Sequence, residues 1–225
     1  MTRLPVLKSF AIYVAEREAS QSVAIQSEKV LWEVDTQCDF MLPGGALYVP
    51  GAERIIPNLR KLVDLARAGR AFLISSACQH TPDDPEFKTF PPHCVRGTPG
   101  AQLVPEARTD SLFTVPNDPH FALPDDLLAH QQVLLEKQTL DVFQNPHAAM
   151  IVERLPRSAE FIIFGVVTEY CVRCAARGLL DRGRRAALVV DAIETLKKEV
   201  GQETVDELAA RGARLVSTEE LLAEI

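Results

Sequence analysis

The sequence predicts an α/β fold in which helices cover both faces of one mostly parallel sheet of about six strands. Short apolar runs rich in β-branched residues alternate along the chain with amphipathic helical stretches. The chain has 225 residues, of which 47% are hydrophobic and 24% charged, as in a globular protein with one large core. We therefore expect a single doubly wound domain over residues 28–225, preceded by an extension over residues 1–27.

The individual elements follow from these runs in chain order. Strands are predicted at KVLWEVD (29–35), RAFLISS (70–76), QVLLEK (132–137), EFIIFGV (160–166), RAALVVD (185–191) and ARLVS (213–217). Helices are predicted at about residues 52–68, 146–154, 170–182 and 198–211, with a short one after Ser217. In the first helix, Ile55, Leu59 and Leu62 keep helical spacing and would cover one face of the sheet.

One segment, residues 77–123, interrupts the alternation of strands and helices. It is rich in proline, aspartate and histidine and is far longer than a routine connection. Long loops inside compact domains are usually functional, because binding residues are often presented by loops on a rigid scaffold. We expect a functional loop here.

Charge and cysteine content restrict the function classes. The formal net charge is -7 and no basic cluster opposes it, so we expect neither a nucleic-acid partner nor a polybasic membrane patch. The five cysteines lack the even, dense spacing of a disulfide scaffold, which favours a reducing compartment, the cytoplasm. The apolar run at 10–15 is too short for a signal peptide, and no stretch approaches the roughly 20 apolar residues of a membrane span. These properties favour small-molecule chemistry.

Polar residues stand where the predicted strands end. Asp35 ends the first strand, Lys137 ends the third, and Cys171 follows the fourth, while Cys78 and His80 follow the second. In an open α/β sheet, ligands bind beyond the carboxyl ends of the strands. We therefore expect an acid, a base and a thiol to meet at one edge of the sheet.

The three residue types suit nucleophilic catalysis. At a helix start, unpaired N–H groups and the helix dipole would lower the thiol pKa of Cys171 and make it a nucleophile. Asp35 could accept the thiol proton and later donate it to a leaving amine, and Lys137 could stabilise the thiolate. The alternatives are structural: a packing cysteine, as we expect for Cys174, a loop-capping aspartate, and a lysine that extends to solvent.

Several segments, in the same order along the chain, resemble the isochorismatase-like cysteine hydrolases, and nicotinamidases in particular. They are DTQCDF (35–40), PGGALYVPGA (43–52), PPHCVRGTPGAQL (91–103), EK (136–137), GVVTEYCV (165–172), VVDAIET (189–195) and GARLVSTEELL (212–222). The resemblance covers about residues 29–222. Because many segments agree in order, chance is a poor explanation.

The resemblance implies a triad of Asp35, Lys137 and Cys171 in which the thiolate attacks an amide carbonyl, ammonia leaves, and water hydrolyses the thioester. It also implies an oxyanion hole formed by the N–H groups of Val167 and Cys171, after a cis peptide bond between Val166 and Val167. The implied substrate is a small carboxamide, nicotinamide first. Ureido, carbamoyl or maleamate-type amides are the alternatives, as is a ligand-binding pseudoenzyme. Proteins of this family are commonly oligomers, so we expect a homo-oligomer.

A divalent metal is a further implication of the resemblance, and here the sequence departs from the family pattern. Nicotinamidases have Asp-Trp-His where this chain has Cys78, Gln79 and His80. His93 is retained in the PPHC segment, and Glu86 lies seven residues before it. Cysteine, histidine and glutamate suit Zn²⁺. The alternative is that the histidines only form hydrogen bonds within the loop and no metal binds.

Aromatic residues near these motifs are candidates for the walls of a substrate pocket. We expect Phe40, Phe90, Phe143 and Tyr170 to contact a flat ring, together with the amide of Gln37 in the first motif. Each aromatic residue could instead belong to the core, the commoner location.

Overall fold

A sheet of seven parallel strands forms the centre of the part of the chain that the structure describes. The structure is a computed structural model and describes residues 28–225; the predicted extension at 1–27 lies outside the described residues. The strands are β1 (Lys29–Val34), β2 (Phe72–Cys78), β3 (Leu112–Val115), β4 (Gln132–Lys137), β5 (Glu160–Val166), β6 (Arg185–Glu194) and β7 (Arg214–Val216). Their order is β3-β4-β2-β1-β5-β6-β7. The predicted doubly wound α/β fold is confirmed, with one strand more than expected.

Helices cover both faces of this sheet. They are α1 (Cys38–Met41), α2 (Ile56–Arg67), α3 (Ala148–Glu153), α4 (Arg173–Asp181), α5 (Lys198–Ala210) and α6 (Thr218–Glu224). The predicted helices are present, and the one-turn helix α1 was not predicted. The helix expected at 170–182 starts differently, because a π-helical turn, Thr168–Val172, precedes α4.

The core has two layers, one on each face of the sheet. On β1, Leu31 belongs to the layer under α2, whereas its neighbour Trp32 belongs to the layer under α3 and α4. Successive residues of a strand point to opposite faces, so a strand buried on both faces is a continuous apolar run. This explains why the central strands were predictable without any alternation of polar and apolar residues.

The extra strand, β3, lies inside the segment 77–123, where a loop was predicted. It pairs in parallel with β4 at the edge of the sheet, from Leu112 beside Gln132 to Val115 beside Leu135. Four residues, three of them only partly buried or exposed, give too short a run to show a period. The expectation of a loop throughout this segment was wrong at Leu112–Val115.

The strand order places four carboxyl ends side by side. Cys78 pairs with Lys137 at the ends of β2 and β4, and Val34 pairs with Gly165 near the ends of β1 and β5. Asp35 follows β1 directly with a left-handed backbone (φ 51°), a conformation that non-glycine residues adopt mostly at special positions. The chain order reverses between β1 and β5, the position where open α/β sheets bind ligands. Within residues 28–225, no helix is both long and apolar enough to cross a membrane.

Candidate active site

The three residues predicted at the strand ends meet in one buried group. Lys137 Nζ lies 2.8 Å from Asp35 Oδ2, and the two side chains are only 1% and 2% exposed. The same ammonium lies 3.5 Å from Cys171 Sγ and donates to the carbonyl oxygen of Thr139 at 3.1 Å. The Lys137 ammonium therefore contacts both the Asp35 carboxylate and the Cys171 thiol.

Burial determines the charge state of this group. Burial and the negative charge of Asp35 raise the pKa of the Cys171 thiol well above its usual range, although Lys137 acts in the opposite direction. Burial alone would lower the pKa of Lys137, but the attraction of Asp35 holds that pKa well above its usual range. At neutral pH the thiol is therefore uncharged and lies beside the Lys137 ammonium.

The prediction of a lowered pKa for the Cys171 thiol was wrong. It depended on Cys171 beginning a helix and facing free N–H groups. Instead Cys171 lies in the π-helical turn before α4, buried beside a carboxylate. Desolvation of the thiolate outweighs the attraction of Lys137.

A second thiol, that of Cys78, contacts the same ammonium. Cys78 Sγ lies 3.0 Å from Lys137 Nζ and 4.0 Å from Asp35 Oδ2. Burial raises the pKa of this thiol to about 12, against the effect of Lys137. Cys78 was predicted only as a metal ligand, so its contact with the triad was not predicted.

A largely apolar cavity of about 90 Å³ opens beside the two thiols. This is several times the roughly 10–15 Å³ that one water needs, so the cavity can hold a small organic molecule. Of the predicted pocket residues, Phe40, Phe90 and Tyr170 line it, and the last two meet edge to face with ring centroids 6.2 Å apart. Among the described residues, neither an arginine nor a lysine lines it.

Further lining residues were not predicted. They are the aliphatic side chains Leu47, Val49, Leu140 and Leu196. Apolar residues in loops carry no chemical signal in a single sequence, so nothing distinguished these four from ordinary core or surface leucines and valines.

Two predicted pocket residues lie elsewhere. The Gln37 amide donates to the carbonyl oxygens of Cys78 and Ala101 and accepts from the Cys78 N–H, each at 2.7 Å, so its side chain supports the end of β2. Phe143 stacks on Trp32 with ring centroids 5.7 Å apart, and the guanidinium of Arg182 lies 3.9 Å from its ring centre. Neither residue lines the cavity.

The predicted metal ligands also converge on this end of the sheet. One donor atom from each of Cys78, His80 and His93 lies within 4.8 Å of the others. His93 Nδ1 is 2.8 Å from the carbonyl oxygen of Pro91, which can only accept, so this nitrogen holds the proton and Nε2 has the free lone pair. His80 Nδ1 lies 3.0 Å from Asp84 Oδ2, a close contact without hydrogen-bond geometry.

Unpartnered buried atoms indicate that this set fits a metal ion. His80 Nε2 and Glu86 Oε2 are buried and have no hydrogen-bond partner among residues 28–225. They are 3.8 Å apart, too far for a hydrogen bond. Two imidazoles with a thiolate or a carboxylate suit Zn²⁺, and Asp84 is the kind of second partner that orients a ligating histidine. Asp84 was not predicted, although it lies in the segment expected to be functional.

The backbone around Cys171 also agrees with the expected arrangement. The peptide bond between Val166 and Val167 is cis. Val167 and Cys171 both line the cavity.

Comparisons with known proteins point to one family. The sequence model described as "Isochorismatase domain" matches residues 30–220. The nicotinamidase of Escherichia coli (strain K12) is 25% identical over 209 residues, covering 83% of this chain and 93% of that protein. The nicotinamidase of Saccharomyces cerevisiae (strain ATCC 204508 / S288c) is also 25% identical, over 223 residues that cover 84% and 99%. The structure of the pyrazinamidase of Pyrococcus horikoshii in complex with zinc superposes with a TM-score of 0.66 at 29% identity, covering 84% and 99%.

Proposed function

The chain belongs to the isochorismatase family and is an amide-bond hydrolase, and from this premise we propose that it converts nicotinamide or a similar ring carboxamide to the carboxylate and ammonia. The observation that supports this most strongly is the Lys137 ammonium, which contacts the Asp35 carboxylate and the Cys171 thiol beside an apolar cavity. The similarity to two nicotinamidases and a pyrazinamidase adds support for a ring carboxamide.

The first half of the proposed reaction forms a thioester. The Cys171 thiol gives its proton to Asp35 as sulfur attacks the carbonyl carbon, and the N–H groups of Val167 and Cys171 donate to the oxyanion. Protonated Asp35 then gives the proton to the amide nitrogen as the C–N bond breaks, and ammonia leaves. Lys137 orients Asp35. It also stabilises the negative charge that passes from the Asp35 carboxylate to the Cys171 sulfur as the thiol proton moves to Asp35.

The second half regenerates the thiol. Asp35 accepts a proton from water as the water oxygen adds to the thioester carbonyl. The C–S bond breaks, and the proton on Asp35 returns to the Cys171 sulfur. The acid product then loses its own proton to solvent, so one water is consumed for each ammonia released.

His80 and His93, with Cys78 or Glu86, would hold a divalent metal, for which Zn²⁺ is the ion we favour. When bound, it would supply a Lewis acid for a donor atom of the substrate ring. Independently of any ion, the Asp84 carboxylate lies 3.0 Å from His80 Nδ1, and the Pro91 carbonyl oxygen lies 2.8 Å from His93 Nδ1, which leaves Nε2 of each imidazole available.

The cavity favours an uncharged ring over the alternative substrates. Maleamate and carbamoyl amino acids carry a carboxylate, which usually requires a cationic partner when it is buried. Among the described residues the lining contains no arginine or lysine, it includes the acidic Glu86, and the nearby Lys137 ammonium is already paired with Asp35. The metal proposed at His80 and His93 would take a donor atom of the ring. Aromatic side chains instead provide the faces and edges against which a flat ring packs.

The direct test is ammonia release from a panel of small amides. We expect nicotinamide and pyrazinamide to be hydrolysed with much higher kcat/KM than maleamate or N-carbamoylsarcosine, and an acid-quenched sample to carry an acyl adduct on the Cys171 peptide. Preference for a carboxylate-bearing amide would overturn the proposed substrate class. Absence of ammonia from every amide would overturn hydrolysis and favour the ligand-binding pseudoenzyme.

A further inference from the structure

One apolar side chain at the cavity is unusually exposed. Leu196 lines the cavity, yet 46% of its surface is open to solvent. It belongs to the three-residue loop between β6, which ends at Glu194, and α5, which begins at Lys198. A leucine that lines a cavity and faces solvent at the same time stands at the mouth of that cavity.

Hydrogen bonds connect the loop that contains Leu196 to the turn that contains Cys171. Glu169, two residues before Cys171, accepts from the N–H groups of Leu196 and Lys197 through Oε1, at 3.1 and 3.2 Å. Its other oxygen, Oε2, accepts from the Thr195 hydroxyl at 2.6 Å. One carboxylate therefore binds all three residues of the loop.

Packing around the loop restricts its movement further. The Thr168 hydroxyl donates to the carbonyl oxygen of Glu194 at 2.8 Å, which joins the same two segments a second time. On the other side, a Cβ at Gly201 would lie 2.5 Å from Thr195 Oγ1, so α5 packs directly against the loop. The Leu196 backbone is thus held from both sides.

We propose that Leu196 determines substrate size by covering the cavity mouth, and that Glu169 is the positioning residue that fixes it there. The inference rests on the proposed function and adds a specificity-determining residue to it. A small ring carboxamide fits beneath Leu196 and packs against the face of that side chain that lines the cavity. A ring with an added alkyl or aryl group must displace a side chain whose backbone cannot withdraw.

The kinetic test compares nicotinamide with nicotinamides that carry a methyl or phenyl group on the ring. One extra or missing methylene in an apolar pocket changes kcat/KM by roughly 10–200-fold. We expect Leu196→Ala to lower kcat/KM for nicotinamide about tenfold through KM, and to raise the ratio of substituted to unsubstituted substrate by at least about tenfold. The control is Val200→Ala, an exposed apolar residue of α5 outside the cavity lining, which should leave the ratio unchanged.

The role of Glu169 is tested with two variants. Glu169→Ala removes both acceptor oxygens, so the loop is released, and the substrate ratio should shift as it does in Leu196→Ala while kcat for nicotinamide changes little. Glu169→Gln keeps one acceptor oxygen and should restore most of the wild-type ratio. If Glu169→Ala lowered kcat with no change in the ratio, the positioning role would be wrong.

A thiol-labelling test separates this inference from the proposed function, because it needs no substrate turnover. The Cys171 peptide is followed by mass spectrometry during alkylation with iodoacetamide or the bulkier N-phenyl iodoacetamide. We expect Leu196→Ala to accelerate the bulky reagent several times more than the small one, and Val200→Ala to change neither. Equal acceleration of both reagents, or none, would overturn the role of Leu196 even if nicotinamide is hydrolysed. The expected selectivity would support that role even if no amide is turned over.

Discussion

At the scale of single residues, the unusual feature is that one ammonium group contacts two thiols. Lys137 Nζ lies 3.0 Å from Cys78 and 3.5 Å from Cys171, so proximity to Lys137 does not identify the nucleophile. Cys171 differs from Cys78 in its backbone, because it lies in the turn that directly follows Val167, and Val167 also lines the cavity. An attacking sulfur needs oxyanion donors nearby, and this favours Cys171.

The first prediction concerns this choice. Cys171→Ala removes the attacking sulfur, so ammonia release should fall by at least about a thousandfold, as when members of a catalytic unit are deleted. Cys174→Ala is the matched control, since Cys174 lies one turn later in α4 and outside the cavity lining, and its activity should stay within about twofold. Substantial turnover by Cys171→Ala would contradict the thioester mechanism.

The second prediction concerns the metal. Wild-type protein purified without chelators should contain about one equivalent of Zn²⁺ or a similar ion by elemental analysis. His93→Ala removes one of two oriented imidazoles and should lose both metal and activity on pyridine carboxamides. Cys78→Asp replaces a thiol by a carboxylate and should retain metal.

The control for the metal prediction is His120→Ala, which removes an exposed histidine outside the donor set and should retain metal. Metal-free wild-type protein with full, chelator-insensitive activity would contradict the prediction. The protein would then depend on the triad and the apolar cavity alone.

Which site residues the sequence could predict depended on their chemistry. Asp35, Lys137 and Cys171 were predictable because an acid, a base and a thiol follow neighbouring strands, and because the segments around them resemble a known family. Leu196 carried no such signal, since its role depends on where a loop crosses the cavity. Gln37 was predicted as a substrate contact, but its side chain forms hydrogen bonds with the backbone of Cys78 at the end of β2. No local sequence pattern reveals this contact between distant parts of the chain.

At the scale of elements, the turn after β5 determines the electrostatics of Cys171, the proposed nucleophile. The sequence pattern predicted a helix start at this position, and with it a lowered thiol pKa. A π-helical turn and the burial of the thiol instead leave desolvation dominant. A periodicity locates a helix within a few residues, but the first turn depends on tertiary packing. The same limit explains the four-residue α1, which has one turn and no visible period.

The third prediction tests whether Gln37 supports an element or contacts substrate. Gln37→Ala would leave buried backbone groups of Cys78 and Ala101 without their side-chain partner, and we expect it to lower the free energy of unfolding by about 2–4 kcal/mol. Urea denaturation measures this change. Gln37→Glu keeps the acceptor but loses the donor, so it should also destabilise the protein. If Gln37→Ala raised KM with unchanged stability, Gln37 would be a substrate contact after all.

At the scale of the whole molecule, the fold was predictable because both faces of the parallel sheet are buried. Central strands then appear as unbroken apolar runs separated by amphipathic helices. The order of the strands is set by long-range pairing, which a single sequence does not reveal. The edge strand β3 was missed because its four residues are too few to show a period. Homo-oligomerisation and a cytoplasmic location stay predictions. Light scattering that gave a mass near the 24.8 kDa of one chain would contradict the first.

The free energy of unfolding should also depend on a fully buried carboxyl group, that of Glu33. Glu33 on β1 is 0% exposed and accepts from the Ser75 hydroxyl of β2 at 2.6 Å, while the Gln132 amide of β4 donates to the same hydroxyl at 2.7 Å. Burial raises the pKa of Glu33 from 4.5 to about 7, against the effect of the Ser75 hydrogen bond. The folded protein therefore holds a proton that the unfolded chain releases between these two values.

The fourth prediction follows from the sign of this shift. Because the pKa is higher in the folded state, the stabilisation is fully present below about pH 4.5 and is lost as the pH rises through about 7, a change of about 3 kcal/mol in total. Glu33→Gln keeps the shape and an acceptor for Ser75 but cannot ionise. In urea denaturation, the stability of wild type relative to this variant should fall by about 2 kcal/mol between pH 5 and pH 8.

Glu153→Gln, at an exposed position of α3, should show no such trend. A difference between wild type and Glu33→Gln that stays constant with pH would mean that Glu33 is ionised in the fold, and that Ser75 and Gln132 stabilise its charge more than burial opposes it.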